Sequence, residues 1–169
     1  MSRRTCTQEE FRAGLSRWCT GVCVVTVCEA DRRHGMTVSA FASVDLDPPT
    51  VLVSLYTASR TAAMVSRSGR FVVNILSAGQ SSIAERFAGR NGDEDRFVGI
   101  AVREGRGGVP LIEQTVGNLE CEVVDQVVRG DHTVYFAAVC EVHASDVDPL
   151  LYFRGQYQEI VYGRRTTSR

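Results

Sequence analysis

Short runs of apolar, β-branched residues recur along the chain, and each is typical of a buried strand. Two longer runs, "LECEVVDQVV" and "VYFAAVCEV", flank the turn sequence "RGDH" and predict a pair of long strands between Leu119 and Val142. The closing segment "PLLYFRGQYQEI" has a similar pattern. The shorter runs lie at 21–30, 50–55 and 71–76.

Three segments have helical patterns instead. Thr7 with Glu10 forms a capping box before a helix over 7–18, in which Phe11, Leu15 and Trp18 share one face. A second helix is predicted over 61–69, ending at Gly69, because glycine suits the C-terminal cap. Ser77 with Gln80 forms another capping box and opens a helix over 80–89, which ends at Gly89.

The remaining segments are predicted to be turns, loops and ends. "DRRHG" (31–35) reads as a turn, and Pro48 with Pro49 interrupts the strand ladder. Residues 90–110 are predicted to be a loop with little to pack. Within them "NGDED" is a solvated loop, because it lacks the spacing and final Glu of a calcium-binding loop. Residues 1–8 and 162–169 are expected to be frayed.

The stretch from Gly35 to Leu46 has a strand pattern but an unusual composition. Thr37, Ser39, Ala40 and Ser43 stand where a core strand would carry Val, Ile or Phe. Either this face is solvated, or something flat and polar lies against it. The residues alone leave both explanations open.

About six or seven strands with only short helices favour an all-β barrel with decorating helices. Strands and long helices do not alternate regularly, so a doubly wound parallel sheet is not expected. The length of 169 residues fits one domain over 1–169, with an ordinary core.

Composition excludes several partners. The net charge is −1, so nothing favours nucleic acid or an anionic membrane, and the 19 basic residues are all Arg. The sequence has no signal-peptide pattern and no apolar run of membrane-spanning length, so we expect a cytoplasmic protein with reduced cysteines. Cys19, Cys23 and Cys28 lack the C-x2-C spacing of zinc sites and are interpreted as buried small hydrophobes, with no metal bound.

Common catalytic motifs are missing. No G-x-G-x-x-G follows a strand, and no P-loop, G-x-S-x-G or H-E-x-x-H is present. Among three histidines, His132 lies at the tight turn between the two long strands, where a histidine is usually a surface residue. From the residues alone the protein is a β-barrel with one polar strand.

The chain closely resembles the short flavin reductases, the small NAD(P)H:flavin oxidoreductases of two-component flavin monooxygenases. The resemblance rests on "FRAGLSRWCTGVCVVTV", "GMTVSAFASVDLDPP", "FVVNIL", "AERFAG", "GDHTVYFAAV" and "PLLYFRGQY", in this order along nearly the whole chain. It implies the mainly β, flavin-binding split β-barrel fold with short decorating helices. It also implies a homodimer.

The resemblance assigns residues to the cofactors. In the family, the strand that matches Thr37 to Ala40 runs along the isoalloxazine ring. The matching helix start meets the flavin phosphate, which backbone N–H groups and an arginine can hold. His132 matches a histidine near the nicotinamide, and the C-terminal motif closes over the site. The implied cofactor-binding residues are Thr37, Val38, Ser39, Ala40, Ser43, Ser54, Ser59, Arg60, Thr61, Phe87, Ala88, Gly89, Arg154 and Tyr157.

The activity implied is hydride transfer from NADH, with NADPH possible, to FAD or FMN, and delivery of reduced flavin to a partner oxygenase. The cofactors carry this chemistry, so no general base is required. Two alternatives remain: a non-catalytic flavin-binding module or redox sensor, and an enzyme like pyridoxamine-phosphate oxidase. The latter would use phosphate-binding lysines, and this chain contains no Lys.

Overall fold

A computed structural model describes residues 5–89 and 95–161 of the chain. Most of the strands and all three helices predicted from the sequence pattern are confirmed. The helices are α1 (Gln8–Leu15), α2 (Arg60–Ser68) and α3 (Ser81–Phe87). The strands are β1 (Thr20–Gly21), β2 (Cys23–Glu29), β3 (Arg32–Val38), β4 (Phe41–Leu46), β5 (Pro49–Tyr56), β6 (Arg70–Ile75), β7 (Val102–Glu104), β8 (Pro110–Ile112), β9 (Gly117–Arg129), β10 (His132–Ala144), β11 (Leu151–Phe153) and β12 (Gln156–Gln158).

The largest sheet has seven strands, all antiparallel, in the order β3-β2-β6-β9-β10-β5-β4. Its two edge strands, β3 and β4, are consecutive in the chain and are separated only by Ser39 and Ala40. Three residue steps span about 10 Å at most, so the two edges must come close together. The sheet therefore curls into an incompletely closed barrel, in agreement with the split-barrel prediction.

Two layers of core explain the apolar runs. Val25 and Val27 of β2 point into the barrel core with α2, while Val22 and Val24 pack with α3 in a second cluster. Both faces of β2 are buried, which is why its sequence is continuously apolar instead of alternating. α2 and α3 thus cover opposite sides of the β2–β3 edge of the sheet.

Helix α1 forms where it was predicted to begin, but it ends at Leu15 instead of Trp18, and its apolar face is exposed. The capping box between Thr7 and Glu10 is present in both directions. No residue of the helix is buried, however, and Trp18 just beyond it is 72% exposed. Local capping and periodicity therefore specify this helix although none of its residues is buried.

Two strand boundaries differ from prediction. The turn expected at 31–35 is confined to Ala30 and Asp31, which have positive φ, and strand β3 already begins at Arg32. The stretch 35–46 is not one strand, because it breaks at Ser39 and Ala40. Ser39 and Ala40 therefore lie in the connection between the two sheet edges, not in the middle of a sheet.

Residues 95–110 are better packed than predicted. Phe97 and Val109 are buried, and β7 pairs with β8. The "NGDED" loop lies outside the described residues except for Asp95. The ends expected to be frayed are likewise outside at 1–4 and 162–169, whereas Thr7 and Gln8 form the cap and start of α1.

The cysteine prediction is partly wrong. Cys23 is buried as expected, but Cys28 is only partly buried and Cys19 is exposed, because it follows the exposed α1. Burial raises the pKa of the Cys23 thiol to about 12, so this side chain acts as a small apolar group.

None of the helices within the described ranges has the length and apolar character of a membrane span.

Candidate cofactor site

Three neighbouring cavities form a groove along β3 and the connection that follows it. The arginine cavity, about 820 Å³, contains the N-terminus of α2. It shares Thr37 and Ala88 with a middle cavity of about 530 Å³. The middle cavity in turn shares Ser39, Tyr152 and Gly155 with the tryptophan cavity, about 780 Å³, which includes Trp18.

β3 lines the groove because it is an edge strand whose two faces are covered by different helices. On one face, His34 Nδ1 lies 2.8 Å from Thr61 Oγ1 of α2. On the other face, Thr37 Oγ1 donates to the carbonyl of Ala84 in α3 at 2.6 Å. Alternation along the strand sends successive side chains to α2 and to α3. The free edge of β3 is left facing the groove.

The N-terminus of α2 points its polar groups at the arginine cavity. Ser59 caps the helix, accepting from the backbone N–H of Ala62 at 3.1 Å, and Arg60 and Thr61 line the cavity. The first turn contains no acidic side chain that would offset the positive end of the helix dipole. This combination of free N–H groups, dipole and arginine suits a phosphate.

The wall opposite α2 contains an ion pair between Arg33 and Asp95. Arg33 Nη2 lies 2.8 Å from Asp95 Oδ2, and its guanidinium sits over the Phe97 ring at 4.8 Å. The hydrogen bond from Arg33 holds the pKa of Asp95 below its usual range. Arg96 donates Nη1 to the carbonyls of Gly35 and Phe87, at 3.0 and 3.2 Å.

His34 is neutral in this setting. Partial burial, with the charges of Arg96 and Arg60, lowers the pKa of His34 to about 4. The described residues that line the arginine cavity include four arginines and two aspartates, a balance of +2 with His34 neutral. This charge and the backbone geometry both favour an anion as ligand.

The middle and tryptophan cavities have a different character. Ser39 and Ala40 offer small exposed side chains and backbone groups. Opposite them, Tyr152 and Tyr157 pack with ring centroids 5.6 Å apart. A flat ring fits against such a wall, and larger residues at Ser39 and Ala40 would fill the space.

The turn after Tyr152 lines the tryptophan and middle cavities. Arg154 and Gly155 both have positive φ, 50° and 80°, which is unusual for arginine. The backbone N–H of Arg154 donates to Ser16 at 3.0 Å, which joins the turn to the end of α1.

The groove brings together most of the residues expected to bind cofactor. The exceptions are Ser43, Ser54 and His132, which line none of the three cavities. The predicted residues lining the groove are Thr37, Val38, Ser39, Ala40, Ser59, Arg60, Thr61, Phe87, Ala88, Gly89, Arg154 and Tyr157.

His132 lies close to the groove without lining it. Its Nδ1 is 2.7 Å from Asp131 Oδ1. The backbone carbonyl of Asp131 accepts from Thr57, two residues before the cap of α2. Ser54 pairs with the neighbouring strand, and its N–H donates to the carbonyl of Ala40 at 3.0 Å, so it supports the groove wall from behind.

Sequence reasoning missed the residues that line the far wall of the arginine cavity: Arg32, Arg33, His34, Met36, Arg96 and Phe97. The charge of the "RRH" run (32–34) was the available signal, because a cationic run beside the polar strand can attract an anion. Arg96 and Phe97 lie in an irregular segment with no periodicity, and no local pattern marks them.

Comparison with known proteins is consistent with this geometry. A model of the Flavin reductase like domain matches residues 15–161. The reductase subunit HsaB of a flavin-dependent monooxygenase from Mycobacterium tuberculosis is 37% identical over 153 residues, covering 89% of this chain and 81% of that protein. An NADH-dependent flavin reductase from a Rhodococcus species is 35% identical over 157 residues, covering 91% of this chain and 87% of that protein.

Among solved structures, the flavin reductase PheA2 superimposes with a TM-score of 0.85 at 34% identity, covering 93% of this chain and all of that one. The similarity therefore includes both the sheet and the segments that line the groove.

Proposed function

This chain belongs to the flavin reductase-like family, and from that premise we propose that it is an NAD(P)H:flavin oxidoreductase. It transfers a hydride from NADH to FAD or FMN and supplies reduced flavin to a monooxygenase. The observation that carries the proposal is the continuous groove, in which a phosphate-binding helix end adjoins a wall of small residues at Ser39 and Ala40.

The residues present fit a flavin. The connection from Val38 to Ala40 would hold the isoalloxazine ring, and the N–H groups at Arg60 and Thr61 would hold the phosphate. When bound, the flavin would supply the hydride acceptor, and the transfer would need no acid or base from the protein. The protein's work is to align the two rings and to exclude water from them.

The turn that holds Arg154 and Gly155 forms the opposite side of the groove. We assign Tyr157 and Arg154 to closing this side over the rings. His132 is assigned to the nicotinamide side of the entrance, because its turn is hydrogen-bonded to the segment preceding α2. The hydrogen bond from His132 lowers the pKa of Asp131.

The His132 assignment predicts a kinetic defect without loss of flavin binding. His132→Ala is expected to lower kcat/KM for NADH by about tenfold to a hundredfold, about 1.4 to 2.7 kcal/mol of transition-state stabilisation. Anaerobic stopped-flow reduction of bound flavin measures it. Unchanged reduction rates and NADH affinity would make His132 an ordinary surface residue.

We propose that two copies of this chain, each a single domain, form a homodimer. We also propose that a flavin-dependent oxygenase receives the reduced flavin. The exposed apolar side chains on α1 and β4 support the dimer, since such residues usually mark an interface when they cluster. The relative HsaB is named as the reductase subunit of a flavin-dependent monooxygenase, which supports an oxygenase as the recipient of reduced flavin.

A direct assay tests the reductase activity. Purified protein is mixed with NADH, or with NADPH, and with free FAD or FMN, and loss of NAD(P)H is followed by absorbance. We expect oxidation that depends on both flavin and protein. A protein that binds flavin but never oxidises either nicotinamide would be a flavin-binding module, and the proposal would be wrong.

A further inference from the structure

The arginine cavity is larger than a phosphate monoester requires. Its volume of about 820 Å³ is in the range that holds a whole ligand moiety of drug size. FMN ends at the phosphate that the N-terminus of α2 and Arg60 would hold. The rest of the cavity, from Asp31 to His34 and from Asp95 to Phe97, lies beyond that point.

Several cationic side chains around the cavity keep hydrogen-bond donors that the described residues do not occupy. Within those residues, Arg32 in the far part and Arg60 at the start of α2 have no ion pair or side-chain hydrogen bond. Arg96 donates from Nη1 to two backbone carbonyls, and its other terminal nitrogen, Nη2, lies near Gly89. Together with α2 these groups can hold more than one phosphate.

Arg33 forms a flat platform in the same wall. Its guanidinium is fixed at one edge by Asp95 and rests with one face on the Phe97 ring, itself stacked edge-on against Phe87 at 5.0 Å. The Arg33 side chain remains 40% exposed and lines the cavity, so its second face is open. Fixed guanidinium planes stack well on nucleobases.

Resting on the proposed reductase function, we propose that the arginine cavity binds the adenosine diphosphate half of FAD, with the adenine stacked on Arg33, so that the protein selects FAD over FMN. The two flavins share the ring, the ribityl chain and the first phosphate. Any preference between them must arise from contacts beyond that phosphate, where Arg32, Arg33 and Arg96 lie. Binding of FAD is expected to be at least tenfold tighter, about 1.4 kcal/mol.

The experiment measures the Kd of FAD and of FMN by flavin fluorescence, without nicotinamide, for four proteins: the wild type, Arg33→Ala, Arg33→Lys and the control Arg129→Ala. Arg129 lies on the β9–β10 hairpin and bonds the adjacent Val128 carbonyl, outside the cavity. We expect both Arg33 variants to lose most of the FAD preference while FMN affinity stays within about twofold. FMN binding thereby also reports correct folding. Arg129→Ala should match the wild type.

Several outcomes would overturn the proposal. Equal wild-type affinity for FAD and FMN contradicts it directly. Retention of the preference in Arg33→Lys would show that charge, not a stacked plane, attracts the ligand. If Arg33→Ala weakens NADH or NADPH binding while leaving the flavin ratio intact, the cavity serves the nicotinamide dinucleotide instead. Failure of the wild type to bind either flavin would instead contradict the reductase function itself.

Discussion

Single residues in the groove separate two explanations for the polar composition of 35–46. Thr37 uses its hydroxyl to hold α3, so its polarity is structural as well as cavity-lining. Ser39 and Ala40 have no such use within the described residues, and both are exposed along the groove. The proposed flavin site would account for their small size, because a flat ring needs this space.

Ala40→Leu tests that explanation. The added side chain should obstruct the ring while the fold is kept, because Ala40 lies in an exposed connection. Flavin affinity is expected to fall by at least about tenfold, about 1.4 kcal/mol. Ala101→Leu, at an exposed position outside all three cavities, is the control. Unchanged flavin binding in folded Ala40→Leu would mean that the connection is merely solvated.

His34 makes stability depend on pH in a defined window. Its folded-state pKa of about 4 lies below the ordinary 6.5, so the unfolded chain binds the proton more readily. The contribution of neutral His34 to the free energy of unfolding is fully present above pH 6.5 and is lost as the pH falls from 6.5 towards 4. Allowing for partial exposure, the loss is about 1 to 2 kcal/mol.

The measurement is urea unfolding at several pH values for the wild type and His34→Gln, which keeps a polar partner for Thr61. The wild type should lose about 1 to 2 kcal/mol more than the variant on going from neutral to acid conditions. Parallel pH profiles for the two proteins would show that His34 does not carry this dependence.

At the level of elements, β3 and α3 pack so closely at Gly35 that there is no room for a side chain at this position. A Cβ at Gly35 would lie 2.9 Å from Phe87 Cε1 and 3.0 Å from the Val25 carbonyl oxygen. Phe87 is fully buried and cannot move aside cheaply. Glycine at this position is what lets α3 supply Phe87, Ala88 and Gly89 to the arginine cavity.

Gly35→Ala is therefore expected to destabilise the protein by about 1 to 3 kcal/mol through overpacking. Gly79→Ala is the control, because a Cβ there meets nothing within 4 Å. Thermal and urea unfolding of both variants measure the difference. If Gly35→Ala is as stable as Gly79→Ala, the contact between β3 and α3 is looser than the geometry indicates.

At the level of the whole molecule, five of the twelve large apolar side chains that are exposed within the described residues lie on β4 or on and just after α1. Phe11, Leu15 and Trp18 lie along and just after α1, and Leu46 at the end of β4 is 88% exposed. Lone exposed apolar residues are ordinary, but a cluster beside the tryptophan cavity is typical of an interface.

A dimer is therefore predicted, with a light-scattering mass of twice the 18.6 kDa chain at micromolar concentration. Trp18→Glu should shift this mass towards that of the monomer, because a charge buried at an interface is unfavourable. Val98→Glu, at an exposed apolar position away from α1 and β4, should leave the mass unchanged. A monomeric wild type would contradict the prediction.

The sequence by itself determined the local elements and the family. Capping boxes and apolar periodicity act between residues a few positions apart, so the three helices, most of the strands and the Gly69 cap of α2 were predictable. The groove residues from Thr37 to Ala40 and from Ser59 to Thr61 were predictable through the resemblance. Only the tertiary structure decided that β3 and β4 are the two edges of one curled sheet. It also brought Arg96 to Gly35, 61 positions away, and Asp95 to Arg33. The physical reason is that strand order and irregular loops follow from long-range packing, which leaves no periodic trace in the local sequence.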